Sequence, residues 1–244
     1  MGRIRIGLEV PIAHLHELEG EVDYHFVIAT TAAKYPEYLE FYKDIEFEMI
    51  MLDNGAFEAH AGGEDPVPLN VEQLYEIADE IKPSLVWAPD HPFNQLETQV
   101  LSLRFLQLSR ERGASWKVGF IPQGRTVDEI LESWYMLGPK FDWIGLSFLN
   151  DREAMLRLAR PQMLFGEPIH MLGYSYTDEL LTMPRIPLTL DTSKPIKAAK
   201  LNKRLSELRK GEGLLLPTDI VSNKELMIAN IEALRNICNG NESV

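Results

Sequence analysis

Three aspartates each close a short apolar run beside residues that turn or open the backbone: Asp53 in MLDNGAF, Asp90 in WAPDHP and Asp191 in LTLDTS. Close carboxylates repel, so if three meet on one face, at least one keeps its proton while another stays ionised. That division of labour suits an anomeric carbon, where one carboxylate attacks or stabilises an oxocarbenium-like centre and an acid assists the leaving group. Gln123 in PQG offers an amide that both donates and accepts, and nearby glycines let a flat heterocycle lie against the backbone. Taken singly, an aspartate after a strand is also an ordinary helix cap or Asx turn.

The elements that must position these groups alternate. Eight apolar or β-branched runs, Ile4–Val10, Tyr24–Thr30, Glu48–Leu52, Ser84–Ala88, Trp116–Ile121, Trp143–Phe148, Pro168–Leu172 and Pro187–Leu190, read as strands. Between them, Val71–Ile81, Leu96–Arg112, Thr126–Met136 and Asp151–Arg160 carry apolar residues at intervals of three and four, the period of helices packed on one face. This is the pattern of an α/β protein built as a single-domain (β/α)8 TIM barrel over residues 1–244, with its strands within 4–193. A doubly wound open sheet is the alternative, but GLEVPIAH follows the first strand where that fold carries a Gly-rich phosphate loop. In a barrel the site forms at the carboxyl ends of the strands, where the three aspartates, Gln123, Gly145 and Leu172–Gly173 all fall. Residues 58–70, rich in Gly, Pro and acid, read as a loop over the mouth. A closing helix is expected over about 223–238 with Ser222 or Asn223 as its cap. The tryptophans Trp87, Trp116, Trp134 and Trp143 are expected to pack in the core.

In order, DNGAF, PDHP, PQG, IGLS, HMLG and LDTS resemble the motifs of the tRNA-guanine transglycosylases, (β/α)8 pentosyltransferases that exchange guanine in a polynucleotide for a 7-deazaguanine. The resemblance spans about Ile4–Ser193. It implies that Asp191 is the nucleophile at the sugar C1′ and Asp53 the general acid/base for the leaving and entering bases. It places Phe57 over the base, Asp90 and Gln123 with Gly124 on its hydrogen-bonding edge, Gly145 as a backbone donor, and Leu172 and Gly173 on the other side. No cofactor is implied. Members acting on tRNA carry a Cys-rich zinc site after the last strand, whereas this chain has only Cys238 and no zinc subdomain. DSGG is DNGA here, and Ser193-Lys194-Pro195 replaces an Arg-rich continuation. The pattern is closest to the phage and bacterial relatives that insert bases such as preQ0 into DNA, so DNA is favoured over tRNA as partner.

Composition sets bounds on this reading. The chain has 244 residues, 45% hydrophobic and 25% charged, enough for one large core. One cysteine excludes an internal disulfide. No apolar run approaches the roughly 20 residues of a membrane helix, and MGRIRIGLEV does not read as a signal peptide. The expected location is therefore the cytoplasm, the host's if the gene is a phage's, with no membrane partner. A homodimer is compatible with the sequence. A net charge of -13 argues against a polyanionic partner, but residues 194–210 hold seven basic groups against Glu207, a local +6 that leaves -19 elsewhere. Lys194, Lys197, Lys200 and Lys203 recur at three, so one helix through them, followed by Arg204, could track phosphates towards Asp191. A solvated helix face is the other account of this run.

Other functions stay open at this point. His14-Leu15-His16 after the first strand resembles the zinc pair of metal-dependent barrel hydrolases, although Gln123 and Ser147 stand where such enzymes place further histidines. Exposed surface positions are the expected account of His14 and His16, and a satisfied core position that of His170. His91 is a candidate partner of Asp90. A retaining glycosidase uses a similar carboxylate pair. A non-catalytic nucleic-acid-binding barrel would use the basic run alone.

Overall fold

The computed structural model describes residues 4–57, 68–164, 166–174, 188–209 and 212–239. Strands β1 (Arg5–Leu8), β2 (Tyr24–Ile28), β3 (Ile50–Asp53), β4 (Leu85–Trp87), β5 (Lys117–Phe120), β6 (Trp143–Ser147), β7 (Ile169–Leu172) and β8 (Leu188–Thr192) run parallel in chain order. Pairing of β8 with β1 closes the barrel. Each strand is covered by helices outside and side chains within, which is why the strands read as nearly unbroken apolar runs. The registers Ile28↔Asp53, Gly7↔Asp191 and Ser147↔Leu172 bring the candidate residues to the carboxyl end.

The interior is filled by large residues set against small ones. Tyr24, Phe26, Met51, Trp87 and Ile121 pack together inside, opposite glycines that make room for them. A Cβ on Gly7 would lie 2.3 Å from the Tyr24 ring, and one on Gly119 would lie 2.3 Å from the Trp87 ring. Barrel interiors are packed cores of this kind rather than pores. A second core joins the outer faces of the strands to the helices.

The helices start where side chains can satisfy their free N–H groups. Asn70 and Gln73 form a capping box at α4 (Val71–Ile81). Asn94, Thr126, Asp151 and Asn223 cap α5 (Gln95–Glu111), α6 (Val127–Leu137), α7 (Arg152–Leu158) and α10 (Lys224–Cys238). Short helices α1 (Leu15–Leu18), α2 (Ala29–Lys34) and α3 (Pro36–Asp44) fill the early connections, α8 (Pro161–Leu164) follows α7, and α9 (Lys194–Lys200) follows β8. No helix among the described residues is long and apolar enough to cross a membrane.

Several expectations are refined. β2 ends at Ile28, and Thr30 belongs to α2. β8 continues through Thr192, so Asp191 is held inside a strand rather than on the loop after it. Asp151–Arg160 is interrupted, with α7 ending at Leu158. Most of the loop expected over 58–70 lies outside the described residues. Trp87, Trp116 and Trp134 are buried as expected. His14 is corrected: it is buried, not exposed. Its Nε2 accepts from Val221 N–H at 2.8 Å, so the neutral ring carries its proton on Nδ1, 2.8 Å from Glu17. His16 is exposed, with its ring edge-on to Phe41.

Candidate active site

The carboxyl ends of the strands surround an open cleft of about 490 Å3, mouth included. Its polar lining includes Glu9, Asp53, Asn54, Asp90, Gln123 and Asp191, and its apolar lining Phe26, Ile28, Phe57, Ile121, Phe148 and Leu172. The three sequence-selected aspartates thus share one pocket.

Asp191 is the most enclosed of them. Gly173 N–H donates to its Oδ1 at 3.0 Å, and His170 Nε2 lies 3.0 Å from the same atom. His170 Nδ1 meets Thr189 Oγ1 at 2.8 Å. Its ring stacks on Trp87 and Phe26, with centroids 5.1 and 5.5 Å away. Burial first, and then the Arg152 charge, push the imidazole down to about 3, so it is neutral at ordinary pH. With Asp191 ionised, the one ring proton sits on Nε2 and Thr189 donates to Nδ1. Gly173 is held at φ 66°, and a Cβ there would be 2.5 Å from the Phe148 ring, so only glycine presents this N–H.

Two residues of this region went unselected in the sequence. Arg152, buried at the start of α7, donates to Leu146 O, Leu172 O and Gly173 O at 3.3, 2.9 and 3.2 Å. It fixes the ends of β6 and β7 and places a positive charge that favours ionised Asp191. Glu9, just past β1, lines the same cleft as Asp191. Burial raises both carboxyls. Glu9 is raised further by Asp191, whereas Gly173 N–H, Glu9 and Arg152 all act to lower Asp191. A signal for Glu9 was present: it is a carboxylate at a strand end, like the three aspartates. Arg152 had none, because its partners are carbonyls of distant strands.

The opposite side is built from amides. Asp53 Oδ2 accepts Gly55 N–H at 2.9 Å in the turn after β3. Asn54 Nδ2 donates to Ala88 O at 3.0 Å and Asp90 Oδ1 at 2.9 Å, while its Oδ1 accepts Ala56 N–H at 2.7 Å. Gln123 Nε2 donates to Asp90 Oδ2 at 2.6 Å. A carboxylate takes only donors, which orients both amides. Burial lifts Asp90 to about 6 against the downward pull of Asn54 and Gln123. Asp90 and Gln123 therefore satisfy each other before any ligand arrives. Phe57, 39% exposed, meets Phe148 edge-on at 4.8 Å and forms an apolar wall.

The remaining expected positions divide. Leu172 and Gly173 line the pocket. Gly145 and Gly124 are not among the lining residues. A Cβ on Gly145 would meet Leu172, Ile121 and Trp87 at 2.8–3.0 Å, so this glycine makes room beneath the pocket floor. Gly124 packs on Glu129 and Ile130 of α6. The His91 ring contacts Pro92 O and lies 3.8 Å from Glu97, and its charge acts to lower the neighbouring Asp90. His14, with both nitrogens engaged, stands outside the lining, and no cluster able to hold a metal occurs among the described residues.

The basic run does not form the expected stripe. α9 ends at Lys200, and Asn202 turns the chain at φ 53°, so Lys203 leaves the helix. Lys200 pairs with Asp219 at 2.6 Å, Lys203 pairs with Glu212, and Lys194 lies over the Tyr174 ring. Lys197 acts on Glu9 instead. Arg204 is exposed, and Lys210 lies outside the described residues.

No protein-family model matches the chain, and no characterised protein matches it in sequence.

Proposed function

We propose that the protein is a base-exchange transglycosylase that replaces guanine in a polynucleotide, DNA in preference to tRNA, with a 7-deazaguanine such as preQ0. The observation that carries this reading is the pocket's two-sided build. Asp191 is held by His170 and Gly173 on one side, and Asp90 is held by Asn54 and Gln123 on the other, with Phe57 at the rim. A flat base with donors on one edge fits the second side while its sugar C1′ faces the first.

In the first half-reaction an Asp191 oxygen bonds to C1′ as the C1′–N9 bond breaks, its electron pair leaving on guanine with a proton from Asp53. In the second, the incoming base gives its N9 proton to Asp53 and its electron pair to C1′, and Asp191 departs as carboxylate. One glycosidic bond replaces another, so no energy source is consumed. Two oriented donors on Asp191 and a preorganised base edge supply the stabilisation.

The test is incubation of the protein with labelled guanine and duplex DNA, single-stranded DNA or tRNA. Incorporation into DNA is expected. Incorporation only into tRNA would correct the substrate. Guanine release without incorporation would make the protein a glycosidase or hydrolase, and binding without either would make it a binding barrel.

A further inference from the structure

Glu9 has no part in the mechanism above, yet it lines the same cleft as the nucleophile, at the end of the neighbouring strand. β1 pairs with β8 so that Gly7 faces Asp191 and Leu8 faces Thr192, and Glu9 N–H reaches Thr192 O at 3.4 Å. The chain thus leaves β1 beside the Asp191 strand, and Glu9 and Asp191 line the same cleft, where the Asp191 charge acts to raise the Glu9 carboxyl. Two carboxylates in one buried site bind each other only through a proton, since neither has a donor otherwise. Asp191 already accepts from Gly173 and His170. Those bonds, with Arg152 behind them, favour the charge on Asp191, so the proton belongs to Glu9.

We propose that Glu9 is a positioning residue for Asp191: the two side chains hold one proton between them, carried on Glu9, so the site presents one oriented carboxylate and one negative charge. The role rests on the reading of Asp191 as nucleophile. No proton leaves Glu9 in the reaction. It donates to Asp191 in the free enzyme, and when Asp191 becomes bonded to C1′ the Glu9 carboxyl remains neutral beside the new ester.

The groups facing the pair bear on its charge from several elements. Lys197 of α9 favours ionised Glu9, and Arg152 of α7 favours ionised Asp191. His170 of β7 is neutral, and the buried Tyr24 hydroxyl of β2 keeps its proton, raised by burial and by the Asp191 charge. Loss of the Glu9 proton at high pH would remove a donor from Asp191 and put a second negative charge beside it. The exchange rate then falls on the alkaline side, as well as on the acid side where Asp191 itself is protonated.

Two measurements test this. Carboxyl 13C NMR titration of the wild type, Glu9→Gln and Asp191→Asn should show Glu9 protonated at pH 6.5, with the Asp191 midpoint changing in Glu9→Gln. Exchange assays against pH should show Glu9→Gln, which keeps an N–H donor, within about 10-fold of wild type and with the alkaline limb displaced, since only the Asp53 proton then sets it. Glu9→Ala should lose roughly 10²-fold, mostly in kcat, as expected when a reacting group is misplaced. An ionised Glu9 at pH 6.5, or an unchanged pH profile in both variants, overturns the proposal. If the wild type exchanges no base on any polynucleotide, the functional reading fails alone, and the NMR titration still decides where the proton sits.

Discussion

The two walls of the cleft solve the same problem differently. Each buries a carboxylate at a strand end, and each must offset the cost of removing that charge from water. At β3–β5 the solution is amides: Asn54 and Gln123 donate to both oxygens of Asp90. At β1, β7 and β8 it is a shared proton, a neutral histidine, a backbone N–H and a buried arginine around Asp191. The amide wall fixes a pattern of donors and acceptors, which suits recognition. The other wall leaves a carboxylate whose charge depends on its neighbours, which suits bond making. The amide wall changes charge only at Asp90, which burial lifts to about 6, whereas the other wall holds two raised carboxyls, Glu9 and Asp191.

The largest effect that separates the walls is expected from Asp191→Asn, which should abolish exchange with the fold intact by circular dichroism. Wild-type-like turnover would remove the nucleophile assignment. Asp53→Asn should slow both half-reactions by roughly 10²- to 10⁴-fold, the usual worth of a positioned acid/base, in single-turnover assays. On the amide wall, Asp90→Ala should act on binding instead: it leaves Asn54 and Gln123 donors unpaired, at about 1–3 kcal/mol each, and should remove the preference for guanine over adenine in competition. Equal competition by the two bases in the wild type would contradict the role of this wall.

The pH dependence of stability sharpens the contrast. Glu9 is raised from 4.5 to about 8 in the folded protein, so its contribution is complete below pH 4.5 and is lost as pH rises towards 8. His170 is lowered from 6.5 to about 3, so its contribution is complete above pH 6.5 and is lost as pH falls towards 3. Denaturant melts of Glu9→Gln should therefore lose less stability than wild type between pH 6 and 8, in proportion to the roughly 1.4 kcal/mol carried by each pH unit of differential protonation. A parallel decline would show that Glu9 is not the titrating group. The smallest effect concerns the basic run. Because Lys200 and Lys203 are paired with Asp219 and Glu212, the triple Gln variant of Lys197, Lys200 and Lys203 should flatten the salt dependence of DNA binding by only about one unit. Three free phosphate contacts would give two to three.

The barrel was legible because its signals are local. Apolar runs, helical periods and caps lie within a few neighbouring residues, and α4 and the cap of α10 fall where the sequence placed them. The aspartates were legible because a strand end is itself a local feature. Glu9 carries the same signal in GLEVPIAH, a carboxylate just past a strand. The burial of His14 has no local signal, because its partner Val221 lies far along the chain. The lysine stripe failed because Asn202 stops the helix and acids from the next loop claim two of its members.

By itself, the sequence determined the alternation of elements, the closed eight-stranded count and the set of strand ends that carry carboxylates, since backbone preference and hydrophobic period are decided between neighbours. Only the tertiary structure decided which carboxylates share a cleft, which are raised by burial and which cations pair with acids. Those properties follow from burial and from the few ångströms between side chains of distant strands, where the loss of water makes each nearby charge and donor count most.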